Sequence, residues 1–269
     1  MQYAIRNNHL PKATNPSRFS MPELPEVETV VRALHHPLIG RTFVDLESYW
    51  PNQIVKPDDV EQLRVRISGR TVTNVSRRAK YIVITLDGGE TLIVHLKMTG
   101  HLAIVPHDEP VHKHVRQRFV LADGDDLRFR DMRKFGRIYL VNDPQEVLGK
   151  LGPEPLEPAF TPEVLKEIFN GRKRVLKPFL LDQTNIAGLG NIYADEALFD
   201  AKILPTRTTE TLTEEEIGRL HSAIQKVLKL GIAREGASIS NYVKPDGTKG
   251  GMQEDVKVFR RTGFSCYTC

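Results

Sequence analysis

Cysteine is almost absent from this chain, whose 269 residues include only two, at positions 266 and 269. So few cysteines exclude a fold built on disulfides and suggest a reducing compartment. Long apolar runs are also missing. The unbroken apolar runs of the chain are short, as at residues 81–84, whereas a membrane-spanning helix needs about 18 apolar residues. The sequence therefore excludes a membrane-spanning protein.

Acidic residues are missing from the first 22 positions. This segment has no apolar core of the kind found in secretory signals. Its basic and serine residues loosely resemble an organellar transit peptide, and a disordered or misassigned upstream extension is the other interpretation. We expect residues 1–21 to be an extension that is absent from the active protein.

A helix is predicted directly after Met21. Pro25 and Glu26 suit the first turn of a helix, where free N–H groups and the helix dipole favour proline and carboxylates. Apolar residues follow at helical spacing, and the helix should end near Pro37 and Gly40.

Residues 42–141 change to short runs rich in Val, Ile and Thr, separated by Asp-Gly turns. Such runs occupy residues 71–75, 80–86, 91–96, 117–121 and 137–141. Several carry apolar residues on both faces, which favours a two-layer β sandwich over a half-exposed sheet.

Four prolines within residues 151–162 predict a domain boundary, because proline disfavours helix and central strand alike. Beyond it, apolar residues at helical spacing dominate, at residues 164–169, 175–181, 192–199 and 214–230. The predicted fold class is therefore α+β, with a β sandwich and its leading helix followed by a helical domain.

Basic residues are clustered rather than spread, although the net charge is only +4. The clusters fall in residues 64–80, 128–137 and 171–177. They fit a groove that follows the phosphates of a nucleic acid, and three unrelated solvated faces are the alternative.

Two short motifs are ambiguous by themselves. The glycine-rich turn at residues 186–191 suits close approach to a ligand, and a tight packing corner between helices explains it equally well. Cys266 and Cys269 have zinc-binding spacing, but they form a half site with two ligands missing, so we favour two free thiols on this chain.

Six motifs taken together resemble the formamidopyrimidine-DNA glycosylase family. They are MPELPEVET (residues 21–29), RRAKY (77–81), HLKMTG (95–100), DMRKFG (131–136), LGPEP (151–155) and GLGNIYADE (188–196). The resemblance covers residues 21–269 and implies a β-sandwich catalytic domain (22–152), a proline-rich linker (153–162), a helix-two-turns-helix DNA-binding domain (163–257) and an incomplete zinc finger (258–269).

The activity that this resemblance implies is excision of oxidised purines from damaged double-stranded DNA, followed by strand cleavage at the abasic site by β(δ)-elimination. A base inside a duplex must first be extruded. By similarity, the catalytic residues are the nucleophile Pro22, the general acid Glu23 and the assisting Lys80. Glu26 matches a further family carboxylate, with stabilisation of the helix start as its alternative role.

The resemblance also implies contacts to the DNA. The residues matching backbone contacts are His112, Arg133, Lys173 and Asn191. Those that would fill the space left by the extruded base are Met98, Arg133 and Phe135, and the alternative for Met98 and Phe135 is a place in the core. The protein is expected to be a monomer in the bacterial cytoplasm, associated with the nucleoid, with organellar targeting by residues 1–20 as the alternative.

Two departures from the family pattern stand out. Pro22 follows Met21, and a peptide nitrogen is not nucleophilic, so the active form should begin at Pro22. The family finger has two further cysteines after the position of Cys269, so zinc, the expected cofactor of the intact finger, is doubtful here. An endonuclease VIII-like enzyme acting on oxidised pyrimidines and a non-catalytic DNA-binding remnant remain the alternatives.

Overall fold

The computed structural model describes residues 21–239 and 242–269, and the predictions for residues 1–20 lie outside them. The described residues form seven α-helices: α1 (Leu24–Leu38), α2 (Val60–Ile67), α3 (Gln145–Leu148), α4 (Pro162–Phe169), α5 (Leu176–Leu181), α6 (Asn191–Asp200) and α7 (Glu214–Ala233). They also form nine strands: β1 (Phe43–Ser48), β2 (Ile54–Lys56), β3 (Val72–Arg78), β4 (Tyr81–Leu86), β5 (Thr91–His95), β6 (Gly100–Pro106), β7 (Val115–Leu121), β8 (Asp125–Asp131) and β9 (Arg137–Val141).

The strands form two sheets. The first has the order β1-β7-β8-β6 and the second β2-β9-β5-β4-β3, and every pairing except the parallel β2–β9 pair is antiparallel. After crossing from the first sheet to the second between β1 and β2, the chain returns to the first sheet between β5 and β6 and goes back to the second between β8 and β9. The later two crossings, β5–β6 and β8–β9, are neighbours, because β6 pairs with β8 and β5 pairs with β9.

Apolar side chains of both sheets and of α1 share one core. It includes Phe119 and Phe129 from the first sheet, Ile84 and Leu92 from the second, and Leu34 from α1, all of them almost fully buried. A second core lies among α4, α5, α6 and α7, and Leu24 at the start of α1 belongs to it. The first turn of α1 therefore lies where the β-rich half meets the helical half.

The predicted α+β class, the leading helix and the two sheets are confirmed. Helix α1 ends at Leu38, close to the predicted end. The sequence pattern did not single out α2 or the strands β1, β2, β6 and β8. Helix α2 buries only Leu63 and Ile67, and β8 buries charged side chains, so neither presents a clear apolar pattern.

Residues 258–269 contain turns and bends, with no helix or strand among them. The carboxylate of Glu196 in α6 holds the start of this segment by accepting hydrogen bonds from the backbone N–H groups of Lys257, Val258 and Phe259 (2.8–2.9 Å). The incomplete zinc finger stays a prediction, as do the domain boundaries.

Candidate active site

Pro22 and Glu23 lie immediately before α1 and are buried. Glu23 has an extended backbone at the N-cap, and its neighbour Leu24 donates a backbone hydrogen bond to the carbonyl oxygen of Gly188 (3.1 Å). Gly188 belongs to the glycine-rich turn that leads into α6. The beginning of the MPELPEVET motif is therefore fixed against the helical half of the protein.

The Glu23 side chain lies on the N-terminus of α6. One carboxylate oxygen accepts from the N–H of Ile192 (2.9 Å) and the other from that of Tyr193 (3.3 Å). A Cβ placed on Gly190 would overlap this carboxyl group, so only glycine at position 190 leaves room for the Glu23 side chain. Burial raises the pKa of Glu23 to about 7, against the opposing charge of Lys80. Glu23 can therefore carry a proton near neutral pH and release it.

Lys80 is also buried here, against the glycine-rich turn that leads into α6. It follows β3, and its Nζ donates to the carbonyl oxygen of Leu189 (2.7 Å). Burial lowers the pKa of Lys80, although the charges of Glu23 and Glu26 oppose the shift. The structure thus brings Lys80 and Glu23 to one site, because Lys80 binds the turn that leads into α6 and Glu23 binds the N-terminus of α6.

Glu26 is almost fully buried and makes three hydrogen bonds. It accepts from the backbone N–H of Glu23 (2.8 Å), from the hydroxyl of Tyr193 (2.8 Å) and from the N–H of Ala237 (2.7 Å). Burial raises the pKa of Glu26. The bond to Glu23 supports the helix start, as the alternative role proposed, and the other two join α1 to the helical half.

Tyr193 and Ala237 were missed by the sequence reasoning. Tyr193 is fully buried within α6, and burial raises the pKa of its phenol well above its ordinary value. The phenol therefore stays neutral and donates a hydrogen bond to the carboxylate of Glu26. No signal in the sequence links positions 26, 193 and 237, although Tyr193 lies within the GLGNIYADE motif.

His95 is a buried histidine close to Lys80. Its Nδ1 accepts from the backbone N–H of Lys97 (3.0 Å), and its ring packs edge-on against Tyr81 at 4.6 Å. Burial lowers the pKa of His95 to about 3, and the charges of Lys97 and Lys80 add to this. The imidazole is therefore neutral and adds no charge beside Lys80.

The first basic cluster is not a free phosphate-binding surface. Glu154 accepts from Arg77 and Arg78 (both 2.8 Å) and from the backbone N–H of Ala79, and Arg77 also bonds to Glu28 (3.0 Å). The side chains of Arg77 and Glu154 are only 9% and 10% exposed. Burial favours the neutral acid, but the charge of Arg77 and the hydrogen bonds hold the pKa of Glu154 below its usual value. These two arginines are therefore paired with acids of the protein, and their place in a phosphate-binding groove stays a prediction.

The other two clusters are also partly neutralised. Arg128 is buried on Asp126, which Arg118 contacts as well (2.6 Å), and Lys177 pairs with Asp195 (2.7 Å). Asp126 lies just before the 128–137 cluster and Asp195 lies in α6, so the local charge pattern of these two clusters shows neither acidic partner. Lys173, by contrast, is exposed.

The residues predicted to fill the space of an extruded base lie in the β5–β6 and β8–β9 connections between the sheets. Met98 follows β5 and is partly buried, whereas Arg133 and Phe135 follow β8. The Phe135 side chain is 44% exposed, and the guanidinium of Arg133 lies 4.8 Å from its ring centre. A place in the core is therefore wrong for Phe135.

The remaining predicted DNA contacts are exposed but lie in separate elements. His112 precedes β7, Lys173 lies between α4 and α5, and Asn191 is the first residue of α6. Their contacts with DNA stay predictions. No described helix is long and apolar enough to cross a membrane.

The possible metal ligands of the described residues decide whether they can hold zinc. Cys266 and Cys269 are free thiols, and no group of three or more His, Cys, Asp or Glu residues in the described part of the chain could hold a metal. Tetrahedral zinc needs four ligands. The described residues do not fit the ion, so no chemical step below uses it.

Comparisons with known proteins agree with this arrangement. Residues 21–138 match the family model of the formamidopyrimidine-DNA glycosylase N-terminal domain, and residues 151–243 match that of the H2TH domain of the same enzymes. Formamidopyrimidine-DNA glycosylase of Moorella thermoacetica is 45% identical over 253 residues, which cover 93% of this chain and 92% of the relative. That of Herpetosiphon aurantiacus is 46% identical with the same coverage.

Solved structures give the same result. A Lactococcus lactis Fpg variant in complex with Fapy-dG containing DNA superposes with a TM-score of 0.86 at 36% identity and covers 92% of each chain. The complex of Lactococcus lactis Fpg with DNA containing an abasic site has a TM-score of 0.85 at 36% identity, covering 92% of this chain and 91% of the other.

Proposed function

The chain belongs to the formamidopyrimidine-DNA glycosylase family of DNA-repair enzymes, which are glycosylases and abasic-site lyases, and from this premise we propose that it excises oxidised purines from duplex DNA through Pro22. The substrates are 8-oxoguanine and formamidopyrimidine lesions. One observation carries the proposal: the residue next to Pro22 is a buried acid, Glu23, held on the N-terminus of α6 beside Lys80.

The reaction begins when the lesion leaves the base stack, at a cost of a few kcal/mol. Met98, Arg133 and Phe135 occupy the vacated space. A flexible thioether, a planar cation and an aromatic ring suit this task, since each can stack on or wedge between bases.

Pro22 then acts as the nucleophile, with its nitrogen as a free secondary amine. Glu23 gives its proton to the sugar O4′, the C1′–O4′ bond opens with the lone pair of the base nitrogen, and the Pro22 nitrogen adds to C1′. The base then leaves with the proton that the amine loses, and the lone pair of the Pro22 nitrogen completes an iminium at C1′. The raised pKa of Glu23 supports this role because the acid is still partly protonated near pH 7.

Strand cleavage follows from the iminium. Loss of a proton from C2′ expels the phosphate at C3′, and water then hydrolyses the iminium and frees the amine. Lys80 assists the proton transfer, and its lowered pKa supports this because a larger fraction of the amine is neutral. Removal of residues 1–21 is a condition of this chemistry, since the amide nitrogen of Pro22 has no available lone pair.

Supporting roles are assigned to the remaining predicted residues. His112, Arg133, Lys173 and Asn191 contact the DNA backbone. Zinc belongs to the intact family finger, and residues 258–269 of this chain supply only two of its four ligands, Cys266 and Cys269. Because the matched relatives are bacterial, we place the enzyme at the nucleoid of a bacterial cell. The proposed enzyme acts as a monomer.

The substrate class is tested by measuring base release from duplexes of one sequence that contain 8-oxoguanine, thymine glycol or undamaged guanine. The chain beginning at Pro22 should release 8-oxoguanine at least tenfold faster than the oxidised pyrimidine, and undamaged guanine not at all. Preference for thymine glycol would favour the endonuclease VIII-like alternative. Binding without any release would favour a non-catalytic DNA-binding remnant.

A further inference from the structure

We propose that Thr99 and Asp131 are positioning residues that join the β5–β6 and β8–β9 connections, so that Met98, Arg133 and Phe135 act as one rigid wedge. This inference rests on the proposed function, because it assumes that these three side chains enter the space of the extruded base. The wedge connections are defined here as residues 96–99 and 132–136.

The sheet topology places the two wedge connections side by side. Gly100 of β6 is paired with Asp131 of β8, and His95 of β5 is paired with Arg137 of β9. Each connection therefore starts and ends next to the other, although about 35 positions of sequence separate them. Backbone pairing alone stops at these four residues and does not fix the connections themselves.

Asp131 fills this gap. Its carboxylate is fully buried and accepts from the hydroxyl of Thr99, from the side-chain amide of Gln53 (2.8 Å) and from the backbone N–H groups of Arg133 (3.2 Å) and Gly136 (2.8 Å). The bonds to Arg133 and Gly136 fix both ends of the second connection. The bond to Thr99 attaches it to the first.

Thr99 completes the link from its own side. Its Oγ1 donates to Asp131 and accepts from the backbone N–H of Arg133 (3.0 Å). Thr99 is the neighbour of Met98 in sequence. The hydroxyl group of Thr99 therefore links the residue next to Met98 to the backbone of Arg133. Displacement of one wedge connection should then move the other.

A second contact holds the 132–136 wedge connection. The ammonium of Lys134 lies 3.6 Å from the ring centre of Trp50, and Lys134 has a backbone φ of +62°, in the left-handed region. The carbonyl oxygen of Trp50 accepts from Gln117 of β7 (2.8 Å). A cation–π contact and a fixed partner compensate for the unfavourable backbone of Lys134.

Rigidity matters here because the wedge must replace stacking and pairing worth a few kcal/mol. Side chains that are ordered before binding lose less conformational entropy when they enter the DNA. Residues that join the connections should therefore affect the opening of a stacked duplex more than the chemistry of an abasic site that needs no opening.

The test compares Thr99→Val, which keeps the shape but loses the hydroxyl, with Thr99→Ser, which keeps the hydroxyl. Thr42→Val is the matched control, since Thr42 shares a hydroxyl bond with Thr71 (2.9 Å) away from the wedge connections. All chains begin at Pro22. Two substrates are used: a fully paired 8-oxoguanine duplex with 2-aminopurine beside the lesion, and single-stranded DNA with an abasic site.

On the duplex, Thr99→Val should lower both the rate of the 2-aminopurine fluorescence rise and the rate of base release about tenfold, as expected for loss of one buried hydrogen bond to a carboxylate. On single-stranded abasic DNA its borohydride trapping should stay within about twofold of the parent. Thr99→Ser and Thr42→Val should match the parent on both substrates.

An equal loss on both substrates would show that Thr99 only stabilises the fold, and an unchanged duplex rate would show that it does not join the wedge. Either result would overturn this inference. Failure of the parent chain to form a trapped adduct on any substrate would instead contradict the proposed function, so the two failures are distinguishable.

Discussion

Glu23 and Ile192 lie 169 positions apart in the sequence, and the carboxylate of the first accepts a hydrogen bond from the backbone N–H of the second at 2.9 Å. The acid comes from the segment before α1, and the amide comes from the first turn of α6. The site is therefore assembled by packing of the helical half onto the start of α1, and neither half contains it alone.

The protonation of Glu23 sets the first pH prediction. Because its pKa is raised to about 7, the acid holds its proton below that pH and loses it above. Base release from an 8-oxoguanine duplex should fall up to about tenfold for each pH unit above 7, whereas trapping on a preformed abasic site, which needs less help with ring opening, should fall less. Single-turnover rates between about pH 6 and pH 9 measure both.

Glu23→Gln is the matching variant. It keeps an acceptor for Ile192 but has no proton to give, so base release should drop by at least about 10² while abasic-site trapping survives. A parent profile that stays flat, or base release preserved in Glu23→Gln, would refute the general-acid role.

Gly190 is expected to be intolerant of any side chain. In Gly190→Ala the new Cβ overlaps the Glu23 carboxyl and pushes it off the N-terminus of α6. A displacement of this size should lower base release about 10²-fold. The control is Gly218→Ala in α7, where a Cβ meets nothing within 4 Å. That change should leave the rate unaltered and stabilise the protein by about 0.5–1 kcal/mol.

The Tyr193 hydroxyl should stabilise the junction. Tyr193→Phe leaves the buried Glu26 carboxylate one donor short, so the free energy of unfolding should fall by about 1–3 kcal/mol and trapping should weaken. Tyr49→Phe removes an exposed bond of the same kind, to Glu47 (2.5 Å), and should cost less than about 0.5 kcal/mol. Urea unfolding of both variants measures these changes. Equal losses of unfolding free energy would mean that the bond to Glu26 contributes no more to stability than an exposed one.

Glu154 is predicted to be a structural acid of the junction. Glu154→Gln removes one of the two charge partners of the buried Arg77, with Glu28 left as the other, and should lower the free energy of unfolding by about 2 kcal/mol. Glu146→Gln breaks the exposed pair with Lys56 and should cost less than about 1 kcal/mol.

The pH dependence of the free energy of unfolding tests the role of Glu154 independently. The pKa of Glu154 is below 4.5 in the folded protein, so its contribution is present above about pH 4.5 and is lost as the pH falls through the folded value. The difference between parent and Glu154→Gln should therefore shrink in acid. A difference that grows in acid would contradict the pairing with Arg77.

Local features were predictable from the sequence, and contacts between distant segments were not. The helix after Pro25 and the strands rich in Val and Ile follow from patterns within a few residues, and the resemblance of short motifs pointed to Glu23 and Lys80. The partners of Arg77 were invisible, because Glu154 lies 77 positions further on. Counting basic residues therefore overestimated the free positive charge.

The same limit explains the wedge connections and the Glu26 network. Thr99 and Asp131 both stand in recognised motifs, but nothing local shows that one hydroxyl joins them. Tyr193 reads as an ordinary core residue of α6 until the packing places it on Glu26. Burial of a polar group against a partner far along the chain has no periodic signature, so only the folded structure reveals it.

The most direct measurement concerns the nitrogen of Pro22. Two forms, one starting at Pro22 and one retaining residues 1–21, are incubated with an 8-oxoguanine duplex and reduced with borohydride, and the adduct is mapped by mass spectrometry. The form that starts at Pro22 should become covalently attached to the DNA through that residue, and the longer form should not. Attachment of the longer form, or none by the form that starts at Pro22, would contradict the account.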